Sequence, residues 1–557
     1  MRDGVELEVT RWFPAPGLTA SPAPIMLSRT PYGGHGPLVG TVERLLAGLG
    51  YQAVMVQCRG TFASGGTFDP IRQEVADGAD VFDWLHAQPW FTPNVGLFGA
   101  SYLGFTQWSA LSALPPWVKM FTPALTTAEF RDMIYAGGAF ALDTAFTWGY
   151  EIGHQQLRGR TARRARTQKA ALIDTALATM PLGDAASGMT GPAPAFLHDW
   201  LAHAEPGDPW WDWCNFREFL PQAPAVSLIA GWQDLFLDGQ LTDFRSLQAA
   251  GRTARITIGP WTHASPTAYA VFLHDAVDWA DRNLLGRSTT TPQGGARIYV
   301  SGSRQWRAVE AWPPPFQPRR LTLAVGGLLL TAQARESPVE EVTFRYDPAD
   351  PTPSAGGATL NVRRAGVRSN GAREDRADVI SFTAAPLTTA MTCAGHPEVS
   401  LTLRTSSPDH DLFVRLCDVT SGGESSNVAD GVRRFRSTEE VPSVSGDRLV
   451  TVALSGMAHT FHAGHRIRLQ VSGGAHPLVA RNLGYGESLL TGRRLRPVTF
   501  TVTLGGAAPP SLLLPEVDVA RLGRPVQVGG ADGWPLVRRA ARMVQLLRGP
   551  RRCRRNR

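Results

Sequence analysis

One stretch of the chain joins a buried strand, a tight turn that holds a serine, and a helix. Val95–Gly99 is short and apolar, Ser101 stands among small residues, and helical spacing of apolar residues begins at Tyr102. Small residues let the backbone be strained so that the hydroxyl stands exposed, and the helix N-terminus directs free N–H groups at an attacked carbonyl. This pattern predicts a nucleophile elbow, although Leu103 displaces the second glycine of G-x-S-x-G by one position. A serine that caps a buried helix is the alternative.

Strands and helices alternate around this turn, which is typical of a parallel sheet covered on both faces. Residues 128–218 interrupt the alternation and are predicted to be mostly helical, without a strand. We therefore predict an α/β domain from residues 1–127 and 219–300, with 128–218 inserted where a lid would lie. The predicted strands are Ala23–Arg29, Ala53–Gln57, Val95–Gly99, Val226–Ala230 and Ala254–Gly259, and the predicted helices are Leu38–Leu49, Glu74–Ala87, Tyr102–Leu114, Gly239–Ala250 and Ala268–Leu285.

Beyond residue 300 the chain changes to short alternating runs separated by turns rich in Gly, Ser and Pro. That pattern predicts an all-β sandwich, a jelly roll, over residues 318–515. No strand pattern follows residue 516. The predicted strands of this part are Leu321–Val325, Val342–Tyr346, Val399–Arg404, Asp411–Asp418, Arg448–Leu454, His465–Ser472 and Val498–Leu504.

The net charge of +7 is a property of the C-terminal tail, 516–557. Residues 533–557 carry nine arginines and no acid, which leaves residues 1–532 at −2. We expect no nucleic-acid binding by the body; Trp534–Leu547 could form a basic helix that touches anionic surfaces, with a disordered solubilising end as the alternative. The five scattered cysteines predict neither structural zinc nor a disulfide framework. They favour a cytoplasmic protein, as does the absence of a signal-peptide pattern at Met1.

A serine hydroxyl becomes a nucleophile only when a base removes its proton and an acid orients that base. In α/β hydrolases the acid and the base follow the serine along the chain in that order. Val226–Ala230 leads to Asp234, and Ala254–Gly259 leads to His263. Asp238 is an alternative acid, and Asp234 and His263 could each be a surface turn residue or a helix cap. Three suitable residues at three strand ends favour a catalytic triad.

A tetrahedral intermediate also needs hydrogen-bond donors for its oxyanion. The backbone N–H of Tyr102 is one candidate because it follows the serine. The other donor should come from the loop after an early strand, where Tyr32 offers a phenolic hydroxyl. From the chemistry alone, Tyr32 could equally be a loop aromatic that packs on the core.

These segments together resemble the cocaine esterase (CocE/NonD) hydrolase family, whose relatives include X-Pro dipeptidyl-peptidases and α-amino acid ester hydrolases. The resemblance covers roughly residues 1–510, and its glycine stands at the displaced position of the elbow. The residues that carry it are Met1–Val5, Arg29–Tyr32, Gln57–Gly66, Gly99–Trp108, Gly231–Asp234, Gly259–His263, Ser407–Leu416 and Arg481–Leu483.

The resemblance implies a triad of Ser101, Asp234 and His263, and an oxyanion hole formed by Tyr32 and the Tyr102 N–H. It also implies a helical cap and a C-terminal jelly roll that shape the acyl pocket. By the same likeness Phe236 and Trp148 would line that pocket. Aromatic character adds further candidates for the lining, Trp232 and Trp261.

The expected function is a serine hydrolase that forms an acyl-enzyme from a carboxylic ester with a bulky or aromatic acyl group. It would use no cofactor or metal, and a homo-oligomer is left open. An X-Pro dipeptidyl-peptidase, or an α-amino acid ester hydrolase acting on peptides or β-lactam-like amides, is the alternative. It would require carboxylates that bind a free amine, for which Glu129 and Asp132 are candidates unless solvated on a helix. A catalytically dead carbohydrate-binding protein is a further alternative.

Overall fold

The structure is a computed structural model. It describes residues 1–15, 22–33, 40–189, 196–289, 291–330, 338–437, 446–506 and 509–529. The basic segment 533–557, with the helix predicted over Trp534–Leu547, lies outside these residues. So does the predicted helix start at Leu38.

The first part of the chain forms an open, mostly parallel sheet with helices between its strands. The predicted strands and helices are confirmed, although the helix after Ser101 ends at Trp108, earlier than predicted. The elements are β1 (Val9–Trp12), β2 (Ile25–Thr30), α1 (Thr41–Gly48), β3 (Gln52–Gln57), α2 (Glu74–His86), β4 (Val95–Ala100), α3 (Tyr102–Trp108) and β5 (Val118–Ala124).

An insertion rich in helices follows β5. The chain was predicted to contain no strand here, but a two-stranded hairpin stands between its first two helices. Each strand is two residues long, which is too short to produce a period in the sequence. The elements are α4 (Arg131–Ile134), β6 (Tyr135–Ala136), β7 (Ala139–Phe140), α5 (Leu142–His154), α6 (Gly159–Ala178), α7 (Leu182–Met189) and α8 (Phe196–Ala202).

The chain then returns to the first sheet. The two predicted strands and helices of this part are confirmed, and two more strands follow them. The elements are β8 (Ala225–Gln233), α9 (Leu237–Ala249), β9 (Ala254–Thr262), α10 (Pro266–Leu285), β10 (Gly295–Val300) and β11 (Gln305–Val309). The sheet therefore extends past residue 300, where its end was predicted.

The remaining strands form a separate sheet system. Helix α11 (Gly371–Glu374) is the short helical turn within it. The strands of this system are β12 (Gln317–Ala324), β13 (Leu328–Leu330), β14 (Glu340–Tyr346), β15 (Val379–Ala384), β16 (Met391–Gly395), β17 (Glu398–Thr405), β18 (His410–Val419), β19 (Ser425–Phe435), β20 (Arg448–Ala453), β21 (Met457–Phe461), β22 (Arg466–Ser472), β23 (Val498–Leu504) and β24 (Ser511–Glu516). The last strand, β25 (Arg524–Pro525), joins the first sheet instead.

The ten strands of the first sheet lie in the order β1-β3-β2-β4-β5-β8-β9-β10-β11-β25. Those from β3 to β10 in this order are parallel, so their carboxyl ends meet at one edge. Helices α1 and α10 pack on one face and α2, α3 and α9 on the other. Every residue of β4 is buried because both faces are covered.

Strand β25 corrects the prediction that nothing after residue 516 is a strand. It pairs antiparallel with β11, with Arg524 opposite Ala308. It is two residues long, so it leaves no alternating pattern in the sequence. The first and the last described strands, β1 and β25, thus belong to the same sheet.

Strands β12 to β24 form the second sheet system, which has its own core. Several of its strands alternate between buried and partly exposed residues; in β23 Val498, Phe500, Val502 and Leu504 face inward. The observed architecture is therefore an α/β domain followed by a β-rich domain, as predicted. None of the described helices has the length and apolar character needed to cross a bilayer.

Candidate active site

Ser101 stands at the turn between β4 and α3 in a strained backbone conformation, with φ 59° and ψ −124°. Its N–H donates to the carbonyl of Ala124 at the end of β5, at 2.8 Å, which holds the turn against the sheet. A positive φ costs energy in a residue with a side chain and is typical of a nucleophile elbow.

Two glycines make this turn possible. Gly99 has φ 149°, and a Cβ there would lie 2.3 Å from the Cβ of Leu103. A Cβ on Gly104 would lie 2.4 Å from Cγ2 of Thr126. The displaced second glycine is therefore a position where α3 lies close against Thr126, in the chain after β5. Leu103 fits at its position because Gly99 has no side chain that would collide with the Leu103 Cβ.

Asp234 and His263 follow neighbouring strands of the same sheet edge. In the β8–β9 register Gln233 lies opposite Thr262, which places the two residues that follow beside each other. His263 Nδ1 lies 2.8 Å from Asp234 Oδ2, and His263 Nε2 lies 3.0 Å from Ser101 Oγ. The N–H of Phe236 donates to Asp234 Oδ1 at 2.9 Å. The buried carboxylate is thus held in the orientation that supports the imidazole.

Tyr32 and Tyr102 lie on the other side of the serine. The Tyr32 hydroxyl accepts a hydrogen bond from Trp148 Nε1 at 3.1 Å. Burial raises the pKa of Tyr32, and hydrogen bonds with Trp148 and Ser101 offset part of the rise. The phenol therefore keeps its proton at neutral pH and remains a donor. The Tyr102 N–H belongs to the first turn of α3, where helix geometry supplies no acceptor.

The Tyr102 side chain anchors this turn from beneath. Its hydroxyl donates to Glu74 Oε1 at 2.8 Å and accepts from the Ile71 N–H at 2.8 Å. Glu74 is itself ion-paired with Arg29 at 3.0 Å, and both side chains are buried. These contacts fix the first residue of α3, so they also fix the direction of its backbone N–H.

A small apolar cavity of about 40 Å³ opens beside Ser101. Of the predicted pocket residues, Trp148 and Phe236 line it. Sequence reasoning missed several other lining residues, including Trp200, whose ring stacks on Trp148 at 5.8 Å. It also missed Leu360, which comes from the β-rich domain. The remaining walls are Phe105, Thr126, Phe130, Met133, Ile134, Thr144, Ala145 and Leu235.

Trp232 and Trp261 lie elsewhere. Trp261 packs between the sheet and α10, with its ring centroid 5.7 Å from that of Trp306. Trp232 donates from Nε1 to the Tyr299 carbonyl at 2.6 Å and packs on Trp312 at 5.3 Å. Their partners lie on or near β10 and β11, two of the strands that sequence reasoning missed.

The two carboxylates considered for amine binding are engaged with other groups. Asp132 pairs with Arg217 at 2.7 Å. Glu129 is buried, and its Oε1 accepts the Arg131 N–H at 3.2 Å. Neither lines the cavity beside Ser101. Over the described ranges, no cluster of three or more His, Cys, Asp or Glu is arranged to hold a metal ion.

Glu129 supplies a pH prediction for stability. Burial raises its pKa to about 7, and the nearby Asp132 adds to the rise. The folded protein then holds a proton that the unfolded chain releases near its ordinary pKa of about 4.3. The free energy of unfolding should therefore fall as pH rises from about 4.3 to 7, since ionising the buried group has a cost.

We expect Glu129→Gln to remove this dependence, because the amide keeps the acceptor oxygen and carries no charge. Thermal unfolding of both proteins at pH 5, 6, 7 and 8 measures this dependence. The melting temperature of the variant relative to that of the wild type should increase as pH rises. Parallel curves would show that Glu129 does not titrate in this range.

Comparison with known proteins finds similarity over nearly the whole chain. Residues 3–265 match the X-Pro dipeptidyl-peptidase (S15) family, and residues 289–513 match the X-Pro dipeptidyl-peptidase C-terminal non-catalytic domain. The cocaine esterase of Rhodococcus sp. (strain MB1 Bresler) is 30% identical over 540 residues, covering 87% of this chain and 91% of that protein.

Two solved structures share the fold over both domains. An aminopeptidase from a marine sediment Thaumarchaeota archaeon superposes with a TM-score of 0.76 at 20% identity, covering 93% of this chain and 95% of that one. An α-amino acid ester hydrolase gives a TM-score of 0.76 at 24% identity, with the same coverage of 93% and 95%.

Proposed function

Because this chain belongs to the X-Pro dipeptidyl-peptidase (S15) family of serine hydrolases, together with cocaine esterase, we propose that it hydrolyses carboxylic esters of apolar or aromatic acids through an acyl-enzyme on Ser101. The observation that carries the proposal is the hydrogen-bonded chain from Ser101 through His263 to Asp234, which ends at an apolar cavity.

Acylation begins when the Ser101 oxygen attacks the ester carbonyl. His263 Nε2, at 3.0 Å, takes the hydroxyl proton as the Oγ–carbon bond forms. Asp234 holds the proton on Nδ1 and stabilises the imidazolium. The tetrahedral intermediate then collapses, the alcohol leaves with the proton from His263, and the acyl group remains on Ser101.

Deacylation repeats these steps with water. His263 takes a proton from the water, whose oxygen attacks the acyl carbon, and Ser101 leaves with that proton as the carboxylic acid forms. In both halves the negative oxygen is stabilised by the Tyr32 hydroxyl and the Tyr102 N–H. Tyr32 is a suitable donor because its raised pKa keeps it protonated.

The walls of the cavity define the acyl group. Trp148, Trp200, Phe130 and Phe236 give it an aromatic lining that favours apolar acyl groups. Its volume of about 40 Å³ corresponds to about three water molecules, so a bulky acyl group requires a flexible side chain such as Met133 to move.

We further infer that residues 128–218 act as a cap, since α5 carries Trp148 to the Tyr32 hydroxyl. We infer that the β-rich domain, over 318–515, is a jelly roll that contributes Leu360 to the acyl pocket. The contact of Gln155 with the Pro31 carbonyl, at 3.0 Å, supports this placement of the cap over the Tyr32 loop.

The family match keeps the X-Pro dipeptidyl-peptidase alternative in view. Such a peptidase, like an α-amino acid ester hydrolase, has to bind the ammonium group of its substrate. Among the described residues that line the Ser101 cavity there is no Asp or Glu. A buried ammonium without a partner is costly, so this lining favours acyl groups that lack an α-amine.

A matched pair of substrates tests this preference. We expect kcat/KM for methyl phenylacetate to exceed that for phenylglycine methyl ester at least tenfold, because the two differ only in the ammonium group. Hydrolysis of Gly-Pro-4-nitroanilide is expected to be slower still. Initial rates for all three, with 4-nitrophenyl butyrate as the reference ester, measure the preference. A faster rate on the amino ester or on the anilide would assign the enzyme to the amine-binding alternative.

A further inference from the structure

A second cavity adjoins the one beside Ser101 and is larger than it. It measures about 650 Å³ and lies between α9, the β6–β7 hairpin and strands β19 and β20. This volume falls in the range of small-molecule sites. Met133, Thr144 and Leu235 line both cavities and so separate them. The catalytic steps proposed above make no use of the larger space.

Two arginines in its wall have no carboxylate partner. Arg131 Nη2 donates to the carbonyls of Ala204 and Glu205 at 3.1 and 3.0 Å, and its Nε is buried without a hydrogen-bond partner. Arg433 donates to the Thr451 carbonyl at 3.4 Å and lies over the Phe435 ring. Within the ranges described, neither guanidinium is ion-paired.

Three other charged side chains of the same wall are ion-paired. Arg436 lies 3.6 Å from Glu205. Arg434 is held by Asp411 through two hydrogen bonds of 2.7 Å. Asp430 is held in the same way by Arg415, at 2.6 and 2.7 Å.

The acids that remain near the cavity are few. Asp234 is committed to His263. Asp238 accepts the Gly456 N–H at 2.9 Å and lies 3.8 Å from His396 Nδ1. Arg131 and the more exposed Arg433 are therefore guanidinium groups of this wall that no carboxylate engages. Each is available to pair with an anionic ligand.

The lining also includes the apolar side chains of Met133, Trp232, Leu235 and Phe413. A guanidinium pairs with a carboxylate through two parallel hydrogen bonds. We propose that this cavity is a second binding site, which takes a small organic carboxylate with an apolar body. Its anion lies near Arg131 and Arg433, and its body lies against Trp232 and the neighbouring apolar side chains.

The probe is 4-phenylbutyrate, titrated into enzyme whose Ser101 has been blocked with a fluorophosphonate and checked by intact mass. We expect saturable binding of one equivalent by calorimetry, with a change in tryptophan fluorescence because Trp232 lies in the wall. The neutral 4-phenylbutyramide should bind at least tenfold more weakly. Enzyme that fails to label is titrated unblocked, so failure of the Ser101 proposal is recorded separately.

Arg433→Gln should weaken 4-phenylbutyrate about tenfold, the usual effect of losing a charge-assisted hydrogen bond. Arg345→Gln, an exposed arginine of β14, is the matched control and should leave binding unchanged. Thr242→Glu adds a carboxylate to the wall from α9 and should abolish binding without touching either arginine. Absence of saturable binding, equal affinity for the amide, or wild-type affinity in both Arg433→Gln and Thr242→Glu would overturn the site.

Discussion

Replacing Ser101 with alanine is expected to lower kcat about 10⁵-fold or more on any ester the enzyme accepts. The variant loses the covalent intermediate, and His263 then has no hydroxyl to deprotonate. The residual rate comes from the oxyanion donors and from substrate binding, which act without the nucleophile. Initial rates with 4-nitrophenyl butyrate measure the loss.

A fluorophosphonate probe gives a second readout that does not depend on the substrate. The wild type should gain one adduct, located by peptide mass on Ser101, and Ser101→Ala should gain none. The matched control is Ser187→Ala, since the Ser187 hydroxyl also contacts a histidine nitrogen, His198 Nε2, at 3.1 Å. That nitrogen also lies 3.1 Å from the Gly183 carbonyl. The Ser187 hydroxyl donates to that same carbonyl at 3.0 Å, so its proton is not directed at His198, and this variant should label fully.

Persistent labelling of Ser101→Ala would show that another serine is the nucleophile. Loss of labelling in both variants would indicate misfolding, which the melting temperature checks.

Tyr32→Phe is expected to lower kcat about 10²–10³-fold with little change in KM. The phenol donates to an oxygen that becomes negative only in the transition state, so its loss affects the chemical step more than substrate binding. Because burial raises the pKa of Tyr32, the deficit should stay constant from neutral to mildly alkaline pH.

The matched control is Tyr485→Phe, which likewise removes one phenolic hydroxyl, from a tyrosine of the β-rich domain that does not line the Ser101 cavity. Its rate should equal that of the wild type. A Tyr32→Phe variant with an unchanged rate would leave the Tyr102 N–H without a second donor and would exclude Tyr32 from the oxyanion hole.

The positions of Ser101, Asp234 and His263 could be predicted because parallel strands impose a rule. Each residue follows a buried strand, and the carboxyl ends of such strands meet at one edge. Short apolar runs such as Val226–Ala230 are visible in the sequence, so the place where each strand ends is visible too. The displaced glycine at position 104 could not be explained from sequence, since its reason is the Thr126 side chain on another element.

The pocket was harder to predict because side-chain direction depends on distant neighbours. Trp232 and Trp261 were expected to line it on aromatic character alone. Their rings pack instead on Trp312 and Trp306, respectively. Leu360 reaches the pocket from the other domain, more than 250 positions after Ser101. No local period in the sequence carries that information. Strand β19 was missed for a different reason. The consecutive Arg433 and Arg434 interrupt the alternation of apolar and polar residues that predicts a strand.

The pairing of β25 with β11 has a mechanical consequence for the two domains. The β-rich domain leaves the first sheet after Val309 and its chain rejoins that sheet at Arg524. Both ends of the β-rich domain are thus attached to the first sheet. Rotation of the domain about one connecting segment would break the Arg524 pairing, so this pairing restrains the wall that carries Leu360 relative to Ser101.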